Sequence, residues 1–340
     1  MNMNKQYNVM ERKGVKKALA YFPLCLVALG TFLISSCSSD DDLDEKSVIQ
    51  NSITEENDFD KWLKENFVNP YNIEFLYRYN DNETDLNYYN VPADYHQAIE
   101  YAHIVKYCGM EAYDRIAGVE FTRAYFPKMF YATGEFEYNN NGTMILGTAE
   151  SGKKIFLSGT NHLDAVLTGS GDELISAAYL TTLENRRYIL NELFLKTIYH
   201  EFTHILNQTK DYSEDFQQIT GSLYINDAWS TAEGEDGYLG RGFITDYSQK
   251  EAREDFAEVL STYITNTPEQ WASWMQEATS ETPSGSTDGA TLINQKLDIV
   301  RTYMQDQWNI NIDDLRTEVL KRMDDVLKGY VNLTDLTVNN

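Results

Sequence analysis

His200, Glu201 and His204 form an H-E-x-x-H motif within residues 187–206, where apolar residues recur at helical spacing. Positions four apart share one face of a helix, so both imidazoles reach toward one point. The residue after the first His is turned slightly aside, which leaves its carboxylate beside that point rather than in it. A chain built this way must bury one side of the helix and leave the other open to a site. The pattern suits metal binding by the two His, with Glu201 holding a metal-activated water and taking its proton. One catalytic Zn2+ is the expected cofactor, because zinc accepts imidazole and carboxylate ligands and brings the pKa of its water toward about 7. The chain has only five His, and two of them at this spacing around a Glu make a specific signal.

A catalytic zinc usually takes a third protein ligand and keeps one position open. No His follows His204, and Asn207 and Lys210 stand where a longer motif would place Gly and His. A carboxylate is therefore expected. The best candidate lies in a second apolar-periodic helix, Arg253-Glu254-Asp255-Phe256-Ala257-Glu258-Val259-Leu260. Glu254 and Glu258 fall one turn apart there. Glu254 is the expected ligand, and Glu258 is expected to accept a hydrogen bond from a ligand His and so orient it. Asp255 and Glu251 are competitors. Tyr247, near the start of the same helix, can donate to the oxyanion of a tetrahedral intermediate. Tyr224 and Tyr238 are its rivals, since the chain holds 24 Tyr. His96, His103 and His162 are isolated and read as structural or surface residues.

These residues resemble the catalytic core of anthrax lethal factor-like peptidases, which place a Tyr seven residues before the ligand of an E-x-F-A-E helix. The resemblance implies His200, His204 and Glu254 as ligands, Glu201 as base, and Tyr247 as the transition-state donor. Over most of the chain the sequence also resembles the zinc-binding metallopeptidases of Bacteroidetes known as substrate import-associated zinc metallohydrolase lipoproteins. Pro70-Tyr71-Asn72-Ile73, residues 97–108, Asn141-Gly142-Thr143, Leu146-Gly147-Thr148-Ala149-Glu150 and the two helices above carry that likeness. It implies an association with TonB-dependent nutrient importers, whose components are then expected partners.

The N-terminus reads as an address. Lys5, Arg12, Lys13, Lys16 and Lys17 precede an apolar run at residues 18–34, which contains Pro23 and ends in Ser35 and Ser36. A spanning helix needs about 20 apolar residues, so a cleaved signal over residues 1–36 is favoured. Ile34-Ser35-Ser36-Cys37 resembles a bacterial lipobox, which implies lipidation of Cys37. Ser38-Ser39-Asp40-Asp41-Asp42 resembles the surface-export signal of Bacteroidetes lipoproteins. Residues 37–56 then form an acidic, self-repelling tether. The expectation is an outer-membrane lipoprotein, facing outward and held to the membrane by the lipid on Cys37.

Residues 57–335 are expected to form one α+β, zincin-like metallopeptidase domain. The segment 57–67 reads as a short amphipathic helix, 71–78 as a strand, and 94–107 as a helix. Strand-like runs across 127–158, separated by Asn141-Gly142 and Ser151-Gly152, predict a small, mostly antiparallel sheet of hairpins beside the active-site helix. Beyond about residue 183 the pattern is almost wholly helical, with a surface loop at 278–290. An edge strand near residues 142–147 is expected to pair with an extended peptide. The net charge of −25 repels nucleic acid and anionic lipid surfaces but names no substrate by itself; the zinc motif makes protein or peptide the expected substrate. Cys108 lies alone beyond the leader, so no internal disulfide framework is available to the mature domain. The competing function is a noncatalytic surface lipoprotein that keeps the zinc as a staple and captures peptide or glycan for an importer. Hydrolysis of a nonpeptide amide is a third possibility.

Overall fold

The computed structural model describes residues 55–338, apart from 81–82, 84–86, 140–143, 146, 151–153, 232–233 and 235–236. The signal, Cys37 and the tether lie outside the described residues. Helix α1 (Asp58–Leu63) is started by a reciprocal cap: Asn57 Oδ1 accepts from the Asp60 amide, and Asp60 Oδ2 accepts from the Asn57 amide. It buries Phe59, Trp62 and Leu63 and runs on as a π-turn over Lys64–Val68. Strand β1 (Glu74–Leu76) follows. Asp94 then caps α2 (Tyr95–Ile104), which continues into a second π segment, Val105–Met110. Helices α3 (Glu111–Ala117) and α4 (Val119–Tyr125) lead to β2 (Met129–Ala132).

The sheet corrects the expectation of a mostly antiparallel arrangement. Strands β3 (Glu137–Tyr138) and β4 (Met144–Ile145) form a separate antiparallel pair. The main sheet has the order β1-β2-β6-β5, with β5 at Gly147–Glu150 and β6 at Lys154–Leu157. β1 lies parallel to β2, with Phe75 opposite Phe130, and β2 lies parallel to β6, with Phe130 opposite Ile155. Only β5 and β6 are antiparallel. The reason lies in the connections: β1 reaches β2 through a helical crossover, which returns the chain in the same direction. Turn signals within 127–158 could not reveal that the neighbour of β2 is a strand from the N-terminal segment. Of the expected edge segment, residues 142, 143 and 146 lie outside the described residues. Met144–Ile145 pairs with β3, and Gly147 opens the antiparallel strand β5 at one edge of the sheet.

Helix α5 (Leu163–Thr168) leads to α6 (Leu183–Leu190), which continues through a π-turn at Asn191–Leu195 into α7 (Lys196–Thr209), the helix with the two His. The apolar side of α7 buries Ile198, Tyr199, Phe202 and Leu206. Phe202 meets Tyr113 and Phe126 edge-on, each with ring centroids 4.8 Å apart. The Tyr199 hydroxyl donates to the Cys108 carbonyl at 2.7 Å. Cys108 itself is buried and free. After α8 (Asp215–Ile219) and several 3-10 turns come α9 (Ala252–Thr265), α10 (Pro268–Glu281), α11 (Gly289–Trp308) and α12 (Ile312–Leu327). The expected loop at 278–290 is shorter than predicted, because α10 holds its first four residues. Among the described residues no helix is long and apolar enough to cross a membrane.

His162 acts as a clasp between two loops. Its Nδ1 lies 2.8 Å from Asp172 and its Nε2 3.0 Å from Glu135, with the ring stacked on Phe136. Burial works against the charged ring, but the two carboxylates outweigh it and raise the pKa. The clasp therefore stabilises the fold fully below an unfolded value of about 6.5, and that gain is lost as pH rises through the folded value. The melting temperatures of wild type and His162→Gln are expected to converge as pH rises above about 6.5. A gap that widens there would rule out a charged clasp.

Candidate metal centre and cleft

Helix α7 contributes His200 and His204 from one face, and α9 brings Glu254 up against them. The Nε2 atoms of the two His lie 3.0 Å apart. Glu254 Oε2 stands 3.1 Å from His200 Nε2 and 3.0 Å from His204 Nε2. All three residues are buried, and their ligand atoms lie within 4.8 Å of one another. Zinc bonds of about 2.0–2.2 Å in a tetrahedron place donor atoms roughly 3.3 Å apart, so the set fits that ion.

A second carboxylate stands behind the first. Glu258 Oε1 lies 2.7 Å from His200 Nδ1, on the ring edge away from Glu254. Its other oxygen, Oε2, lies 3.0 Å from Lys196 Nζ and accepts from Thr245 Oγ1 at 2.8 Å. Burial would raise both carboxyls, yet each is held well below the usual range. Hydrogen bonds from His200 and His204 do this for Glu254, and Lys196 with His200 does it for Glu258. Burial works against the charge on His200, but Glu254 and Glu258 push its pKa up to about 10. Two buried carboxylates against two imidazoles thus demand positive charge between them, and a dication supplies it with both rings neutral.

Tyr247 opens a 3-10 turn, Tyr247–Gln249, just before α9. Its ring lies 6.0 Å from the His200 ring and 4.9 Å, edge-on, from Trp229. Burial first, then Glu254, Glu258 and Glu201, raise the phenol well above its ordinary value. Glu201 is half-buried and likewise raised by burial, against the pull of His200 and His204. Both side chains, with His200, line a cleft of about 820 Å³. Tyr188, Trp229, Tyr238 and Trp274 also face it, among polar and acidic side chains that include Glu192, Asp227, Asp246 and Thr262.

The rivals, Tyr238 apart, lie outside the cleft. Asp255 turns away from the metal set to a fully buried ion pair with Lys296 at 2.6 Å, and Tyr224 donates to the same carboxylate at 2.8 Å. Glu251 stands at the start of α9 beside Arg253. Tyr238 lines the cleft wall. Lys296 also donates to the Gly242 carbonyl at 2.8 Å. Gly242 has φ +89°, and a Cβ there would lie 2.6 Å from Leu292 Cβ, so only glycine lets this loop lie against α11. His103 stacks on Trp62, with ring centroids 4.0 Å apart, and is buried. His96 is exposed.

Sequence reasoning passed over Lys196, Thr245, Lys250, Trp229 and Lys296. Lys196 and Lys250 each stand four residues before a site residue, His200 or Glu254, which is the one signal that pointed to them. Thr245, Trp229 and Lys296 reach the site region by tertiary folding alone.

Residues 52–313 match a sequence family described as putative zinc-binding metallo-peptidase. The chain belongs to this family. It is also similar to a solved structure described as a putative zinc-binding metallo-peptidase from Bacteroides caccae, at 32% identity and a TM-score of 0.64. That similarity covers 86% of this chain and 100% of the other. No curated protein matches the chain. Zinc is therefore the metal of the family, and His200, His204 and Glu254 are the candidate site for it in this metallopeptidase.

Proposed function

We propose that this metallopeptidase hydrolyses peptide bonds of protein or peptide outside the cell. The observation that carries the reading is the placement of Glu201 and Tyr247 on one cleft with His200. His200, His204 and Glu254 hold the zinc, which when bound acidifies water and polarises a carbonyl. Glu201 takes the proton of the attacking water and passes it to the leaving amine. Tyr247 donates its hydroxyl proton in a hydrogen bond to the oxyanion that forms. Glu258 Oε1, 2.7 Å from His200 Nδ1, fixes the ring with Nε2 toward the metal. The aromatic residues of the cleft accept the substrate's side chains, and strand β5, at the sheet edge near α7, offers main-chain pairing to an extended peptide.

Among the described residues no fourth His, Cys, Asp or Glu joins the ligand set. This favours the enzyme over a noncatalytic zinc-stapled binding protein, whose metal would be closed. The test is cleavage profiling with proteome-derived peptides, wild type beside Glu201→Ala. A shared cleavage signature in wild type alone supports the reading; identical products from both would sink it. The orienting role of Glu258 has its own test. Glu258→Gln is expected to weaken zinc affinity about 10–100-fold in chelator competition, and an unchanged affinity would remove that role.

The reading extends to place. Lipid on Cys37 holds the enzyme at the outer membrane, outward-facing, where it serves a TonB-dependent import system. The lipobox-like Ile34-Ser35-Ser36-Cys37 and the Ser-Asp run behind it support this. Labelled fatty acid should enter the wild-type chain and not Cys37→Ala; equal labelling would refute the anchor.

A further inference from the structure

Lys250 is a cation that neither the motif nor the ligand set accounts for. It lines the cleft beside Tyr247. Its Nζ donates to the Tyr247 hydroxyl oxygen at 3.2 Å and lies 5.1 Å from the centre of that ring. The same ammonium stands 4.0 Å from Glu254 Oε1, the oxygen turned away from the two His. Both contacts follow from local geometry. The 3-10 turn at Tyr247–Gln249 eclipses residues three apart, which sets Lys250 over Tyr247. Glu251 is extended at the start of α9, and the chain's turn into the helix there brings Lys250 back toward Glu254. Lys250 is two-thirds buried, and its backbone N–H is held by the Tyr247 carbonyl at 3.0 Å.

We propose that Lys250 is a positioning residue for the hydrolysis, acting through Tyr247. A phenol oxygen that accepts from an ammonium has its own proton directed elsewhere, here toward the cleft and the site of the oxyanion. The hydrogen bond from the cation also polarises the phenol, which strengthens it as a donor. The contact to Glu254 Oε1 anchors the ammonium, so the chain Glu254–Lys250–Tyr247 holds the donor hydroxyl at a fixed position relative to the metal ligands. No covalent step is assigned to Lys250, and its proton does not leave. The inference rests on the proposed role of Tyr247 as oxyanion donor.

Five zinc-loaded proteins test it: wild type, Lys250→Met, Lys250→Arg, Tyr247→Phe and the Tyr247→Phe/Lys250→Met double variant. Tyr247→Phe is expected to lower kcat about 100-fold or more. Lys250→Met is expected to lower kcat about 10–100-fold with KM changed less than about threefold. In the Tyr247→Phe background, Lys250→Met should add almost nothing, because its target is gone. Lys250→Arg, which keeps a donor cation, should recover part of the loss. Affinity for a phosphinic peptide, a tetrahedral mimic, should fall with kcat/KM. Zinc affinity, measured by chelator competition, should stay within about threefold of wild type. Multiplying effects in the double variant, or zinc loss in Lys250→Met, would overturn the proposal and make Lys250 structural. A wild-type rate in Lys250→Met with a slow Tyr247→Phe would defeat the inference alone. A wild-type rate in Tyr247→Phe would defeat the donor role beneath it.

Discussion

Glu201→Ala is expected to keep its zinc and to lose peptide hydrolysis by about 10²–10⁴-fold, the usual weight of a general base. The two halves of the result separate the two roles on α7. His200 and His204 face Glu254 and form with it the candidate metal site, whereas Glu201 is half-buried and lines the cleft outside that set. Removing its carboxylate takes the proton acceptor from the attacking water without touching a ligand atom. It also relieves repulsion with Glu254 and Glu258, both of which act to raise Glu201. Zinc content by mass spectrometry and kcat/KM on one cleaved peptide read the two effects. A variant that cuts as fast as wild type would contradict the assigned base; a variant that loses zinc would mean that Glu201 belongs to the ligand shell.

The largest effect on stability is expected at the buried Asp255–Lys296 pair, which does not line the cleft. Lys296→Met should destabilise the fold by about 3–5 kcal/mol, because it strands Asp255 as a buried charge. Both side chains of this pair are fully buried. Burial drives the two groups toward their neutral forms, raising Asp255 and lowering Lys296, and each partner pulls the other back. The pair ties α9 to α11 one residue away from Glu254, and Lys296 also holds the Gly242 loop that leads to Thr245 and Tyr247. Loss of the lysine should thus lower the melting temperature by about 10 °C and loosen the zinc site with it. Adding Asp255→Asn, which keeps an acceptor for Tyr224, should recover part of the stability by removing the stranded charge. Urea midpoints of the single and double variants decide this. A Lys296→Met protein with a wild-type midpoint would show that the pair contributes no net stability.

Glu254 shows where reading along the chain needed help. Phe256, Val259 and Leu260 mark its helix in the sequence, but the ligand role follows there only from the need for a third donor and from resemblance. The structure brings Glu254 to the two His across 54 and 50 residues of sequence. The sheet is the plainest miss. The strands on either side of the two turn dipeptides, β3 with β4 and β5 with β6, are antiparallel pairs. The parallel partner of β2 comes from residues 74–76, and no local signal names a partner so distant.

Whatever depends on neighbours along the chain is already legible in the order of residues. Helical spacing sets His200 beside His204, buries Ile198, Tyr199, Phe202 and Leu206 behind them, and puts Glu258 one turn beyond Glu254. These are properties of 3.6 residues per turn and need no partner element. The tertiary structure decided everything that requires two elements to meet. It chose Glu254 over Asp255 by the rotation of α9, which faces one carboxylate to the imidazoles and the other to Lys296. It set Lys196 and Thr245 on Glu258, and folded the 3-10 turn so that Lys250 reaches Tyr247. Burial then gave those contacts their strength, since a carboxylate shielded from water must find its compensating charge within the protein.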